Sequence, residues 1–227
     1  MPSRTDWLER VSIFNELDAA SAAALGGLFK ERTFEKDALV VGQSDAGDAL
    51  YVLTEGRVKV VLYGVSGREV ILSVFRPGDF FGEMSLLDDQ PRSANVIAVE
   101  SSRMLVLDRG AFAKHLATHP STALKVLAEL SRRLRRADAV IGNLALLDVL
   151  GRVARFLREL AKAEGKPTPD GMVITHRPTQ SEIAAMIGTS RETVSRAMSE
   201  FQRRGFLHMS GKRIVLRHGF EDESFQV

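Results

Sequence analysis

The chain of 227 residues is long enough to bury one large core or two modest ones. With 44% hydrophobic and 26% charged residues it has the composition of a soluble globular protein. It contains no apolar run of about 18 residues, which excludes a spanning helix, and no cysteine, which excludes disulfides, thiolate-held metals and iron–sulfur clusters. The net charge of +2 is uneven: residues 151–227 carry 13 Lys/Arg against 9 Asp/Glu, the rest 18 against 20, and without the acidic end from 218 onward the C-terminal module stands at 13 against 6, as in domains that meet a polyanion such as DNA.

The N-terminus, Met1-Pro2-Ser3-Arg4-Thr5-Asp6-Trp7, is not followed by the apolar stretch of a signal peptide, so a cytoplasmic protein is expected. Arg10 to Phe29 reads as short helices. From Arg32 to about Leu107 the pattern changes to short β-like runs, the clearest being Leu50–Leu53, Val58–Leu62, Val70–Val74 and Met104–Leu107. Glycine-bearing turns separate them, and no helix-sized gap intervenes. That pattern predicts an antiparallel roll or barrel rather than a parallel α/β sheet.

A long helix is expected after Pro120. Ala123, Leu127, Leu130, Leu134, Ala137, Ile141 and Leu144 recur at alternating spacings of four and three, the period of a two-stranded coiled-coil seam. The flanking positions Arg132, Arg133, Arg135, Arg136 and Asp138 are charged, which suits a seam between two chains better than a helix buried on its own domain. Asn143 to Asp148 reads as a hinge, Val149 to Ala163 as a further helix, and Gly165 to Gly171 as a loop by composition. The expected domains are residues 1–119, a helix and hinge at 120–147, and 148–227.

Thr179 to Met198 has the form of a helix-turn-helix. Thr179 is placed to cap the first helix, with Glu182 completing a capping box, and Gly188 ends it. Ser190 caps the second helix, and Val194 and Met198 form its buried side. Arg191, Glu192, Ser195 and Arg196 then lie on or near the exposed side. Arginine can pair both major-groove acceptors of guanine, and glutamate can accept from the cytosine amino group. Leu207–Met209 and Arg213–Leu216 read as a hairpin, a wing from which Lys212 can touch a phosphate.

Gly78 to Val96 combines what a small cyclic phosphate diester needs. Gly82 allows a close backbone approach to an anion. Glu83 can accept from a ribose hydroxyl, Arg92 presents a planar fork of donors, and Ser93 adds another donor. This stretch resembles the phosphate-binding cassette of the CRP/FNR family of bacterial regulators, and with the helix-turn-helix the resemblance covers nearly the whole chain. It implies an α+β protein: an N-terminal antiparallel, cupin-like β-roll that binds a cyclic nucleotide, a long dimerisation helix, and a C-terminal winged helix-turn-helix. It also implies that Glu83 holds the ribose 2′-hydroxyl, that Arg92 and Ser93 hold the cyclic phosphate, and that Gly82 contributes backbone. Met84, Ser85 and Ala94 complete the cassette.

Ser190-Arg191-Glu192-Thr193-Val194 followed by Arg196 closely resembles the recognition helix of the receptor protein for which the family is named. The resemblance implies that Arg191, Glu192 and Arg196 read a TGTGA-like half-site of a palindrome, with Thr179, Gln180, Ser190, Thr193, Ser195 and Lys212 in the DNA-binding set. Gln180 and Ser181 depart from the family, standing where an arginine that contacts phosphate and a glutamine are usual. On the seam helix, Ala137 and Asp138 replace a Thr-Ser pair that holds adenine. Alanine cannot hydrogen-bond a base, and an ionised Asp138 can only accept. The arginines around them, Arg135 among these, can address guanine or a second phosphate. Cyclic AMP, cyclic GMP and cyclic di-GMP therefore all stand as effectors, and a ligand-independent regulator with a vestigial cassette is a further alternative. The implied partners are double-stranded DNA, a second copy of the chain, and RNA polymerase, for which 164–171 is the candidate surface; no membrane is implied.

No metal, haem or iron–sulfur cluster is expected. His115 and His119 share a helix spacing that can hold a metal, but no third ligand accompanies them. No phosphate-binding P-loop, dinucleotide fingerprint, zinc-protease motif or nucleophile elbow occurs, and no catalysis is expected.

Overall fold

The computed structural model describes residues 3–175, 177–211 and 213–220. The chain divides into two compact units, Met1–Arg133 and Leu134–Val227. In the first, α1 (Arg4–Arg10) and α2 (Ala19–Leu28) precede β1 (Lys30–Phe34), β2 (Leu39–Val41), β3 (Ala49–Glu55), β4 (Val58–Tyr63), β5 (Glu69–Phe75) and β6 (Phe80–Phe81). The short α3 (Glu83–Asp88), β7 (Asn95–Ala98), β8 (Ser102–Asp108) and α4 (Arg109–Thr118) follow. The strands form two antiparallel sheets, in the orders β1-β8-β3-β6 and β2-β7-β4-β5.

Strand β3 explains the layering. Six of its seven residues are buried, so both faces are covered. Leu50 and Val52, with Phe80 of β6, Leu105 and Leu107, face a layer holding Leu8 of α1, Phe14 of the turn after it, Phe112 of α4 and Val126 of α5. Ala49, Tyr51 and Leu53, with Phe81, Val96 and Met104, form a second cluster with residues of the other sheet. The adjacent phenylalanines of β6 thus serve two cores, because successive side chains on a strand point to opposite faces.

Helix α5 (Pro120–Leu146) begins in the first unit and ends in the second. Proline at its first position needs no N–H partner there. Along it, Leu127, Leu134, Ile141 and Leu144 are exposed, Leu134 at 64% and Ile141 at 63%. Leu130 instead packs on the helical layer of the first unit. Helix α5 runs on to Leu146, and Asp148 already caps α6 (Val149–Glu164), accepting the Gly151 N–H at 2.7 Å. The connection expected over Asn143–Asp148 is therefore shorter than composition suggested, since the capping carboxylate starts the next helix at once.

The second unit adds β9 (Lys166–Thr168), β10 (Gly171–Ile174), α7 (Gln180–Ile187), α8 (Arg191–Arg203), β11 (Leu207–Ser210) and β12 (Arg213–Leu216). Its sheet runs β11-β12-β10-β9. Helices and sheet enclose a core with Leu157, Ile174, Ile183, Val194, Met198, Phe201 and Ile214. The expected loop at 165–171 is instead a hairpin, with Met172 paired to Pro167. Strand β9 is the sheet's edge, where proline's missing N–H need not cost a ladder bond. Gly171 sits at φ 128°, and a Cβ there would stand 2.0 Å from the Leu216 carbonyl oxygen, so only glycine fits.

His115 and His119 are stacked, with centroids 4.3 Å apart. The buried His115 shares a hydrogen bond with Thr122 Oγ1 at 3.2 Å, and His119 Nε2 lies 3.1 Å from Ser21 Oγ. Both rings tie helices together, and among the described residues no three-ligand metal cluster occurs. Among them, too, no helix is long and apolar enough to cross a membrane. Burial, with His119 adding to it, holds the His115 imidazole at about 4 instead of the usual 6.5. As pH falls from about 6.5 to 4, the unfolded chain takes up a proton that the native site refuses. The contribution of His115 to stability is thus fully present above 6.5 and is lost as pH falls towards 4. Urea midpoints should drop between pH 7 and pH 4.5, and more shallowly in His115→Gln.

Candidate functional site

The cassette opens where β6 ends. Gly82 adopts φ 88° and leads into α3; a Cβ there would lie 2.6 Å from Arg92 Nη1 and 2.8 Å from the Ala49 carbonyl oxygen. Its absence lets Arg92 pass beneath the turn. Arg92 is only 5% exposed. It donates to the Gly82 and Ala49 carbonyl oxygens, each at 2.8 Å, and lies 3.6 Å from the exposed Asp48 carboxylate. A buried guanidinium must keep its donors paired, and these carbonyls do so. Arg92 is therefore a preformed cation held at the turn that the sequence marks as an anion cradle.

Glu83 is 2% exposed, and its Oε1 accepts from Arg133 Nη1 of α5 at 2.9 Å. Its Oε2 is buried with no hydrogen-bond partner among the described residues. An unpaired buried acceptor costs about 1–3 kcal/mol, and a ligand hydroxyl would satisfy it. Burial raises the Glu83 carboxyl above its ordinary value, while the Arg133 charge pulls it back. Arg133 also donates to the Phe80 carbonyl oxygen at 2.7 Å and lies over the Phe80 and Phe75 rings, at 4.7 and 5.1 Å from their centroids. Such cation–π contacts contribute about 0.5–2 kcal/mol each.

Of the other cassette residues, Ser85 and Ala94 are buried and Met84 and Ser93 exposed. Ser85 abuts Gly47, where a Cβ would come within 2.1 Å of the serine Cβ. The structure brings Gly82, Glu83, Ser85 and Arg92 together around one turn. Arg135 and Asp138 are exposed on the part of α5 that belongs to the second unit.

Two contributors were not singled out from the sequence. Arg133 was one of a run of seam arginines, and its contact with Glu83 spans 50 residues, beyond any local pattern. Arg109 donates to the Gly47 carbonyl oxygen at 2.6 Å and to that of Ser85 at 2.8 Å, and it pairs with Asp89, clamping α3 to the β2–β3 loop. No sequence motif marks it.

In the second unit, the Thr179 hydroxyl accepts from Glu182 N–H at 3.2 Å while Glu182 accepts from Thr179 N–H at 2.7 Å, the expected capping box. Gly188 ends α7 at φ 71°. Ser190 caps α8 by accepting from Thr193 N–H at 3.2 Å. Arg191, Glu192 and Arg196 are exposed, and Thr193 and Ser195 half-buried. The backbone N–H of Glu192 itself, then the Ser190 hydroxyl, hold the Glu192 carboxyl below its ordinary value, keeping it an acceptor. Gln180 opens α7, half-buried. Lys212 lies outside the described residues.

Comparisons with known proteins agree in both units. Residues 31–119 match the cyclic nucleotide-binding domain family and residues 151–218 the Crp-like helix-turn-helix domain family. The CRP-like cAMP-activated global transcriptional regulator of Mycobacterium tuberculosis is 34% identical over 209 residues, 92% of this chain and 93% of that protein. The cAMP-activated global transcriptional regulator CRP of Escherichia coli is 35% identical over 179 residues, 78% and 84% of the respective chains. Among solved structures, the c-di-GMP-responsive regulator CLP of Xanthomonas campestris aligns with a TM-score of 0.76 at 25% identity, covering 88% of this chain and 99% of that one. The Thermus thermophilus catabolite activator protein aligns at 0.55 with 31% identity, covering 93% and 97%.

Replacing Arg133 by alanine leaves the Glu83 carboxylate buried without its counter-charge, which should cost about 3 kcal/mol at pH 7. The carboxyl then titrates still higher in the native state, so the native state holds the proton better and the variant loses stability as pH rises. Urea unfolding should find a smaller penalty at pH 5 than at pH 7.

Proposed function

Because the chain belongs to the CRP/FNR family of cyclic-nucleotide-binding, DNA-binding transcription regulators, we propose that it acts as a homodimer gated by a 3′,5′-cyclic mononucleotide on a palindromic TGTGA-like site. The observation that carries the gate is the pairing of a buried, preformed cation with a buried acceptor lacking a partner. Arg92 offers a guanidinium to a phosphate, and Glu83 Oε2 offers an unfilled acceptor to a ribose hydroxyl. Gly82, Met84, Ser85, Ser93 and Ala94 line the same turn in this reading. The curated relatives named as cAMP-activated support cyclic AMP as the first candidate.

The seam on α5 supports the dimer. Leu127, Leu134, Ile141 and Leu144 stand exposed at heptad spacing, and a second copy would bury them. Two recognition helices related by a twofold axis would then meet half-sites one helical turn apart. In this reading Arg191 and Arg196 pair with guanine and Glu192 accepts from cytosine, while Thr179, Gln180, Ser190, Thr193, Ser195 and Lys212 contribute backbone and flanking contacts. The β9–β10 hairpin, within 164–171, is the proposed RNA polymerase surface. The named relatives are transcription regulators, and the same role without catalysis is assigned here.

A specific observation favours cyclic di-GMP as the second reading. Ala137 and Asp138 replace the adenine-holding pair, Arg135 and Asp138 are exposed, and a c-di-GMP-responsive regulator is among the structural relatives. A ligand-independent regulator is favoured instead by the fact that Arg92 and one oxygen of Glu83 already have protein partners.

Titration calorimetry against cyclic AMP, cyclic GMP and cyclic di-GMP decides among the three, since the vestigial reading requires no heat from any. Arg92→Ala should abolish the response to whichever nucleotide binds. Arg191→Ala and Arg196→Ala, with unfolding midpoints unchanged, should each lose about 1–3 kcal/mol of discrimination between a TGTGA duplex and a duplex altered at guanine. Equal affinity for both duplexes in the unmodified protein would remove the site assignment.

A further inference from the structure

Four contacts in the first unit form one column. The Arg92 guanidinium lies 5.8 Å from the Tyr51 ring centroid. Tyr51 is the cross-strand partner of Phe81, and their rings stack at 5.0 Å with planes 3° apart. Phe81 stacks in turn on Phe75 at 5.8 Å and 6°. Phe75 carries the Arg133 guanidinium at 5.1 Å. Near-parallel rings at these separations are offset stacks, the favoured aromatic geometry, and both cations fall within cation–π range. The column crosses from β3 and β6 of one sheet to β5 of the other and ends on α5.

We propose that Phe75 and Phe81 are positioning residues of the effector site: with Tyr51 they couple the phosphate-facing Arg92 to Arg133 on α5, so that an anion arriving at Arg92 is registered on that helix. This rests on the effector reading above. To meet a phosphate, Arg92 turns from the Gly82 and Ala49 carbonyls and changes its seat over Tyr51. Stacked rings in a close-packed interior re-seat together rather than deform singly. The change therefore arrives at Phe75, on which Arg133 rests. The same Arg133 holds Glu83, the acceptor assigned to the ribose. The two ends of one cyclic nucleotide thus reach a single guanidinium, the sugar end directly and the phosphate end through the rings.

What the column requires is a ring at position 75, not merely apolar bulk. Phe75 is half-buried, so its variants report even where the buried Phe81→Leu fails to fold. The full-length protein and its Phe75→Tyr, Phe75→Leu and Phe81→Leu variants are titrated by calorimetry with cyclic AMP, cyclic GMP and cyclic di-GMP. Affinity for a palindromic TGTGA duplex is then measured by fluorescence anisotropy with and without each nucleotide. Unmodified protein and Phe75→Tyr should give the same ratio of the two duplex affinities, in the range of about 5–150-fold typical of coupled sites. Phe75→Leu should still release heat with the nucleotide, while its ratio falls below about twofold. A Phe75→Leu ratio equal to that of the unmodified protein, or a Phe75→Tyr loss as large as that of leucine, overturns the proposal alone. No heat from any nucleotide with the unmodified protein, or no change in duplex affinity, overturns the effector reading and this proposal with it.

Discussion

A carboxylate that is 2% exposed, held by one arginine from a distant helix, is the constraint on which the first unit turns. Removing Glu83 from water is costly, and Arg133 offsets that cost on only one of the two oxygens. The pair fixes the end of β6 and the start of α3 against α5. It also leaves an acceptor, Glu83 Oε2, that no group among the described residues fills. A hydrogen-bond donor reaching that oxygen would lower the cost of burying the group.

Around that pair the sheets supply rigidity. β3 and β6 are covered on both faces, so their alternating residues enter different cores. Phe80 meets Arg133 on the helical side, while Phe81 stacks on Tyr51 and Phe75 between the sheets. Arg92 and Arg109 hold the adjoining loop by its carbonyl oxygens rather than by carboxylates alone. A cation held by carbonyls can exchange them for phosphate oxygens without leaving a buried carboxylate unpaired. The second unit is built differently. Helix α8 owes its placement to a capping box, a left-handed Gly188 and an apolar core, and it carries Arg191, Glu192 and Arg196 exposed, Arg196 donating to Thr193 Oγ1 at 3.4 Å.

The family explains the order of these parts, and the departures from its pattern show where this chain differs. On α8, Arg191, Glu192 and Arg196 are exposed, while α7 opens on the half-buried Gln180. In the first unit Gly82, Glu83, Ser85 and Arg92 gather at one turn, and on the part of α5 in the second unit Ala137 and Asp138 are exposed.

Much of this was legible in the residues themselves. The glycine-punctuated short strands, the heptad run after Pro120, the Thr179–Glu182 box and the Gly82-Glu83 to Arg92-Ser93 spacing each follow from local rules: turn chemistry, periodicity, capping and donor geometry. Such rules act over a few residues and leave a trace in sequence. The hairpin at 166–174 left none, because an edge strand next to β10 overrides a proline- and glycine-rich composition. Nor did the partner of Glu83, the clamp of Arg109 or the column from Arg92 to Arg133. Most of those contacts join residues tens of positions apart, and the closing of two sheets and a helix around a common interior brings them within a few ångströms.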